Sequence, residues 1–143
     1  MIEKRRVLFL CTGNSARSQM AEGLLRATAG DHFQVVSAGT IPTFVRPQAI
    51  AVMNELGIDI SRHRSKSVDE FAHDHFDYLI TVCDQANQRC PIFPGSGKRI
   101  HWSIEDPVGF GAEEVQLKAF RAARDDLRKR ILEFIRQEKG AAA

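Results

Sequence analysis

Cysteine is scarce in this chain, with three among 143 residues, and there is one tryptophan and one tyrosine. An odd cysteine count excludes a closed disulfide framework, and Cys11, Cys83 and Cys90 lack the closely spaced pairs of a structural zinc site. No apolar run approaches the roughly 18 residues of a membrane span. Lys4-Arg5-Arg6 precedes only Val7-Leu8-Phe9-Leu10, too short for a signal-peptide core, so a cytoplasmic protein off the membrane is expected. Charge of one sign is also lacking: a net charge of +2 gives no case for nucleic acid or an anionic lipid surface as partner. Repeats, low-complexity tracts and linkers are missing too. One domain over residues 1–139 with a frayed tail at 140–143 is expected.

What is present is an ordinary globular composition, 43% hydrophobic and 27% charged. A chain of this size buries about two-thirds of its unfolded surface and needs no disulfides to fold. Val7 to Cys11 reads as a strand buried on both faces. Ala16 to Ala29 has helical periodicity and stops at Gly30; Phe33 to Ser37 is a second strand closed by Ala38-Gly39. Pro47 to Leu56 is a helix between Pro and Gly57, and Asp77 to Cys83 a third strand. The polar stretch Asp84 to Arg89 suits a short helix, and Arg99 to Ile104 a fourth strand. Ala112 to Lys139 is a long amphipathic helix whose stripe of Val115, Phe120, Ala123, Leu127, Ile131, Phe134 and Ile135 should face the core. The alternation predicts a doubly wound α/β domain with a four-stranded parallel sheet flanked by helices.

Chemistry concentrates in Cys11-Thr12-Gly13-Asn14-Ser15-Ala16-Arg17-Ser18, where the first strand passes into the first helix. Ligands of open α/β sheets bind at that end of the strands. Loop N–H groups and the helix start favour an anion there, and the planar fork of Arg17 can grip two oxygens of a tetrahedral oxyanion. Gly13 is expected to let the backbone turn close to the ligand. The helix terminus and Arg17 are expected to lower the Cys11 thiol pKa, with Ser18 donating a hydrogen bond to the sulfur. A Cys with Arg-Ser at this spacing arises by chance only about a few times in a hundred chains of this size.

This loop resembles the signature of the low-molecular-weight tyrosine phosphatases. The longer run through Gln19-Met20-Ala21-Glu22-Gly23 is closer still to the thioredoxin-coupled arsenate reductases built on that fold. The resemblance extends through Ser37-Ala38-Gly39-Thr40, Gly57-Ile58-Asp59-Ile60-Ser61, Cys83, Cys90-Pro91, His101-Trp102 and Asp106-Pro107. The loop alone fits phosphatase and reductase equally, since phosphate and arsenate share charge and shape. Cys83, expected at the same sheet edge as Cys11, and Cys90, seven residues later, favour the reductase. Thiol chemistry and the resemblance together imply a relay from Cys11 to Cys83 to Cys90, with arsenate as substrate and phosphate or sulfate as competing oxyanions. The reductant is then a thioredoxin-type protein, or glutaredoxin with a small thiol, and no metal or organic cofactor is needed. Asp106 is the expected general acid, with Glu105 as the confounder.

The resemblance also brings a potassium site through Asn14, Glu22 and Ser37, but Lys66 stands where an acidic ligand would be, so no potassium dependence is expected. His73-Asp74-His75 reads as exposed rather than metal-binding, and His101 and Trp102 as packing residues. Arg46, Arg62 and Arg64 suit either anion steering or ordinary surface charge, and Phe93 and Pro94 a docking surface around Cys90. A monomer is expected. The rivals are a tyrosine phosphatase of the same fold and a non-enzymatic oxyanion or arsenite sensor.

Overall fold

The computed structural model describes residues 4–89, 97–109 and 111–141. In chain order the elements are β1 (Arg5–Cys11), α1 (Arg17–Ala29), β2 (Phe33–Gly39), α2 (Pro47–Asn54), a 3-10 turn (Val68–Phe71), β3 (Tyr78–Thr81), α3 (Asp84–Arg89), β4 (Lys98–His101) and α4 (Glu113–Ala141). The four strands form one sheet in the order β2-β1-β3-β4, and every neighbouring pair is parallel. The chain winds from β1 outward to β2, then crosses back to β3 on the other side. The reversal places a topological switch point between β1 and β3, where Cys11 ends one strand and Cys83 follows the other.

Residues 7 to 10 of β1 are wholly buried, as a central strand covered on both faces requires. The edge strand β4 instead exposes Lys98 and Arg99, charges that discourage pairing with another chain. Along α4, Phe120, Ala123, Leu127, Ile131, Phe134 and Ile135 are buried. The ring of Phe134 meets Tyr78 at 5.0 Å and Phe33 at 5.5 Å, which lays the helix across the sheet. At the end of the sheet remote from Cys11, the Tyr78 hydroxyl donates to Glu138 at 2.6 Å and accepts from Arg5 at 2.7 Å. Burial and that carboxylate push the phenol up to about 12.

Several expected boundaries differ. Val115 is 60% exposed, because the stripe begins a turn before α4 reaches the body of the protein. β3 ends at Thr81 rather than Cys83, although Val82 N–H still reaches the Leu10 carbonyl. β4 ends at His101, three residues short of Ile104. α2 ends at Asn54, and the chain turns through Gly57 at φ +74°. α4 runs through Ala141, two residues into the stretch expected to fray.

Candidate active site

The loop after β1 is built around Asn14, which is fully buried and holds the left-handed backbone conformation at φ 45°. Its side-chain amide donates to Ser18 Oγ at 2.8 Å and to Ser37 Oγ at 3.0 Å. Its Oδ1 accepts from Gln19 Nε2 and from the Lys66 backbone N–H, both at 2.9 Å. All polar capacity of the amide is used, which fixes its orientation. Since Ser18 Oγ already accepts from Asn14, its own proton is free to point at Cys11 Sγ, 2.7 Å away. The Asn14 N–H adds a second donor to that sulfur at 3.2 Å. Gly39 is required on the far side, where a Cβ would stand 2.6 Å from the Thr12 carbonyl oxygen.

The start of α1 is left open for an anion. Its N-cap is Ala16, with no side-chain cap and no acidic residue in the first turn, so no side-chain oxygen of the helix competes for its terminal N–H groups. Arg17 donates to the Ile104 carbonyl at 3.0 Å, with Nη2 3.8 Å from Asp106. Thr12, Gly13, Ser15, Ala16, Arg17 and Asp106 line one cavity of about 220 Å³ with Cys11 at its base.

One electrostatic expectation needs correcting. Burial pushes the Cys11 thiol above its ordinary value; the Ser18 hydroxyl and N–H oppose the rise, Cys83 adds to it and Arg17 counters it. Cys11 is 3% exposed, and its sulfur loses more hydration than the loop donors return. The Asp106 side chain is 57% exposed and faces Arg17. Its Oδ1 accepts from the Val108 N–H, which sets its direction. Glu105 is absent from the Cys11 cavity, so geometry separates the two carboxylates.

Cys83 is 3% exposed, and its sulfur lies 3.2 Å from Thr12 Oγ1, inside the oxyanion loop. The Ala86 N–H at the start of α3 donates to the same sulfur at 3.3 Å. The loop that grips the anion thus also touches the second thiol. Cys90, Phe93, Pro94 and Phe110 lie outside the described residues.

The model of the low molecular weight phosphotyrosine protein phosphatases matches residues 6–141. The chain belongs to that family. Within it, the chain is 41% identical to arsenate reductase 2 of Staphylococcus epidermidis over 93% of its own length and 98% of the relative's. An arsenate reductase solved in its oxidized state superposes with TM-score 0.80 and 33% identity, covering 93% of this chain and 98% of the other. A low molecular weight protein tyrosine phosphatase from T. tengcongensis gives TM-score 0.77 and 26% identity, covering 94% and 99%.

Under the phosphatase-family loop lies Glu22, 5% exposed, accepting from Ser37 at 2.6 Å and paired with Arg26 at 2.7 Å. Lys66 Nζ stands 3.8 Å from it and His63 Nε2 3.6 Å. Burial lowers the pKa of both Lys66 and His63, with Glu22 opposing. Among the described residues no group of three His, Cys, Asp or Glu is placed to hold a metal ion, and no helix is long and apolar enough to cross a membrane. His73 and His75 are exposed.

His101 corrects the packing assignment made from sequence. Trp102 does pack, 6.1 Å from Phe9, but His101 joins Thr81 Oγ1 at 2.7 Å to Asp84 Oδ1 at 2.9 Å. It ties the first residue of α3 to the sheet edge. Nothing in the sequence signalled this pair, because its members are 17 residues apart on different elements.

Proposed function

We propose that this chain reduces arsenate to arsenite through three thiols. The carrying observation is the second buried thiol, Cys83, in contact with the loop that holds Cys11. The Cys11 thiolate attacks arsenic(V) and an arsenate oxygen leaves as water, protonated by Asp106 acting as general acid. The N–H groups of residues 12 to 18 and the Arg17 guanidinium hold the remaining oxygens. The Cys83 thiolate then attacks Cys11 Sγ. The S–S bond forms, the S–As bond breaks, and its electron pair stays on arsenic, which departs as arsenite. Cys90 attacks Cys83, releasing Cys11 as thiolate and moving the disulfide to Cys83–Cys90. A dithiol reductant of the thioredoxin type, or glutaredoxin with a small thiol, returns both sulfurs to thiols. No metal or organic cofactor takes part, and the chain acts as a cytoplasmic monomer.

Thr12 supports the relay. Its hydroxyl has one proton, directed either to Gln85 Oε1 at 3.4 Å or to Cys83 Sγ. When Cys83 ionises, the proton turns to the sulfur and stabilises the attacking thiolate. The shared loop should also hydrolyse an aryl phosphate weakly, as in the phosphatases of the family.

The test is arsenite release with each reductant system in the wild type and in Cys11→Ser, Cys83→Ser and Cys90→Ser. The first two should lose on the order of a thousandfold or more; the third should give about one turnover and stop at a Cys11–Cys83 disulfide. Multiple turnovers in Cys83→Ser would exclude the relay. Cys11→Ser should also lose aryl phosphate hydrolysis, whereas Cys83→Ser should keep it.

A further inference from the structure

Arg46, Arg62 and Arg64 are the arginines whose positive charge suits anion steering, and the structure separates them. Arg64 is held by Glu70 through two hydrogen bonds, at 2.7 and 2.9 Å. Arg62 is exposed and lines no part of the Cys11 cavity. Arg46 does line it, together with Arg17 and Asp106.

The backbone fastens Arg46 to the loop itself, since its N–H donates to the Ser15 carbonyl at 2.9 Å. It occupies the N-cap position of α2, which commonly holds a short polar residue, yet its side chain makes no capping bond. Instead the guanidinium carbon lies 4.8 Å from the centre of the Phe44 ring, whose π face steadies a cation. Its Nε is buried with no hydrogen-bond partner, and no carboxylate of the described residues pairs with the guanidinium. A buried N–H without an acceptor is costly, on the order of 1–3 kcal/mol, unless something supplies an oxygen.

The lining of the cavity says what that is. Cys11 and the loop share it with Arg17, whose guanidinium also donates to the Ile104 carbonyl and lies near Asp106. A tetrahedral oxyanion there presents more oxygens than one guanidinium can grip, and a second planar fork suits two of them.

We propose that Arg46 is a second substrate-binding guanidinium, which receives the tetrahedral oxyanion at the mouth of the cavity and sets its ground-state affinity. The inference depends on the arsenate reading only for which oxyanion is processed; its geometry holds for any tetrahedral oxyanion.

The test compares alkylation of Cys11 by anionic iodoacetate and by neutral iodoacetamide in the full chain, with the modified peptide quantified by mass. Arg46→Gln should lower the iodoacetate-to-iodoacetamide rate ratio roughly tenfold, while Arg46→Lys keeps most of it. Phe44→Ala should give a smaller fall of the same sign. Arg62→Gln, which removes the same charge outside the cavity, should leave the ratio unchanged. In turnover, Arg46→Gln should raise KM for arsenate about tenfold and change kcat by less than about twofold. An unchanged ratio, or an equal fall with both reagents, would overturn the proposal. If the ratio falls while even the wild type fails to reduce arsenate, the arginine assignment stands and the reductase reading does not.

Discussion

Cys11 and Cys83 sit at neighbouring strand ends, each 3% exposed and each hydrogen-bonded to a hydroxyl, yet they are held in different ways. Around Cys11 the bonds run inward, from Ser18 to Asn14, Ser37 and Glu22, all at 5% exposure or less. Around Cys83 they run outward, to Thr12, a six-residue helix and a half-open pair between Asp84 and His101. Buried, fully satisfied networks rigidify, whereas exposed bonds over a short helix open at low cost. The difference teaches how burial divides two like thiols. Cys11 is set in a rigid cradle and Cys83 beside an element that opens more easily, which is what the proposed relay asks of each.

The comparison breaks most severely at Asn14. Asn14→Ala removes its hydrogen bonds and leaves a Cβ residue at positive φ, so stability should fall by about 3 kcal/mol, read from denaturant midpoints. Asn14→Gly should lose about 1 kcal/mol less, because only the hydrogen bonds are gone. Equal losses would mean that the left-handed backbone carries no strain.

Ser18→Ala sharpens the electrostatic side. Burial already raises the Cys11 thiol and Ser18 opposes that rise, so the alkylation rate should climb with pH through a midpoint above the ordinary thiol range. Removing the hydroxyl should move the midpoint higher still and slow alkylation at neutral pH. A midpoint that moves down would show that Ser18 stabilises the thiol rather than the thiolate.

A smaller effect is expected at the Cys83 side. His101→Gln or Asp84→Asn should speed hydrogen exchange of α3 amides severalfold while leaving those of α1 unchanged. The hydrogen bonds from His101 and Ser103 hold Asp84 below its ordinary carboxylate value. A depressed pKa contributes stability that is present above the unfolded value, near 3.9, and is lost as pH falls through the folded one. Opening of α3 should therefore increase in acid below that range in the wild type and not in Asp84→Asn.

The smallest expected effect is none. Lys66 already places an ammonium beside Glu22, so exchanging potassium for sodium at constant ionic strength should leave wild-type turnover unchanged. A severalfold gain in potassium would show that Lys66 does not fill the cation position.

Much of this was legible in one dimension. The continuous apolar run at 7 to 10 could only be a central strand, and the run from Cys11 to Arg17 marked the junction between that strand and the first helix. Periodicity gave the α4 stripe apart from Val115, whose exposure depends on where the helix meets the sheet. Other features were invisible because they are set by residues distant in the chain. Thr12 meets Cys83 across 71 positions, His101 meets Asp84 across 17, and Arg46 reaches the Cys11 cavity over the intervening strand β2.

The sequence by itself determined the parallel α/β architecture and set the Cys11–Ser18 loop between the first strand and the first helix, because local patterning is a property of neighbouring residues. Tertiary structure alone decided the ionisation of Cys11, the exposure of Asp106 and the partners of Arg46 and His101. Those depend on desolvation and on charge brought close by folding, and neither has a value until the chain has packed.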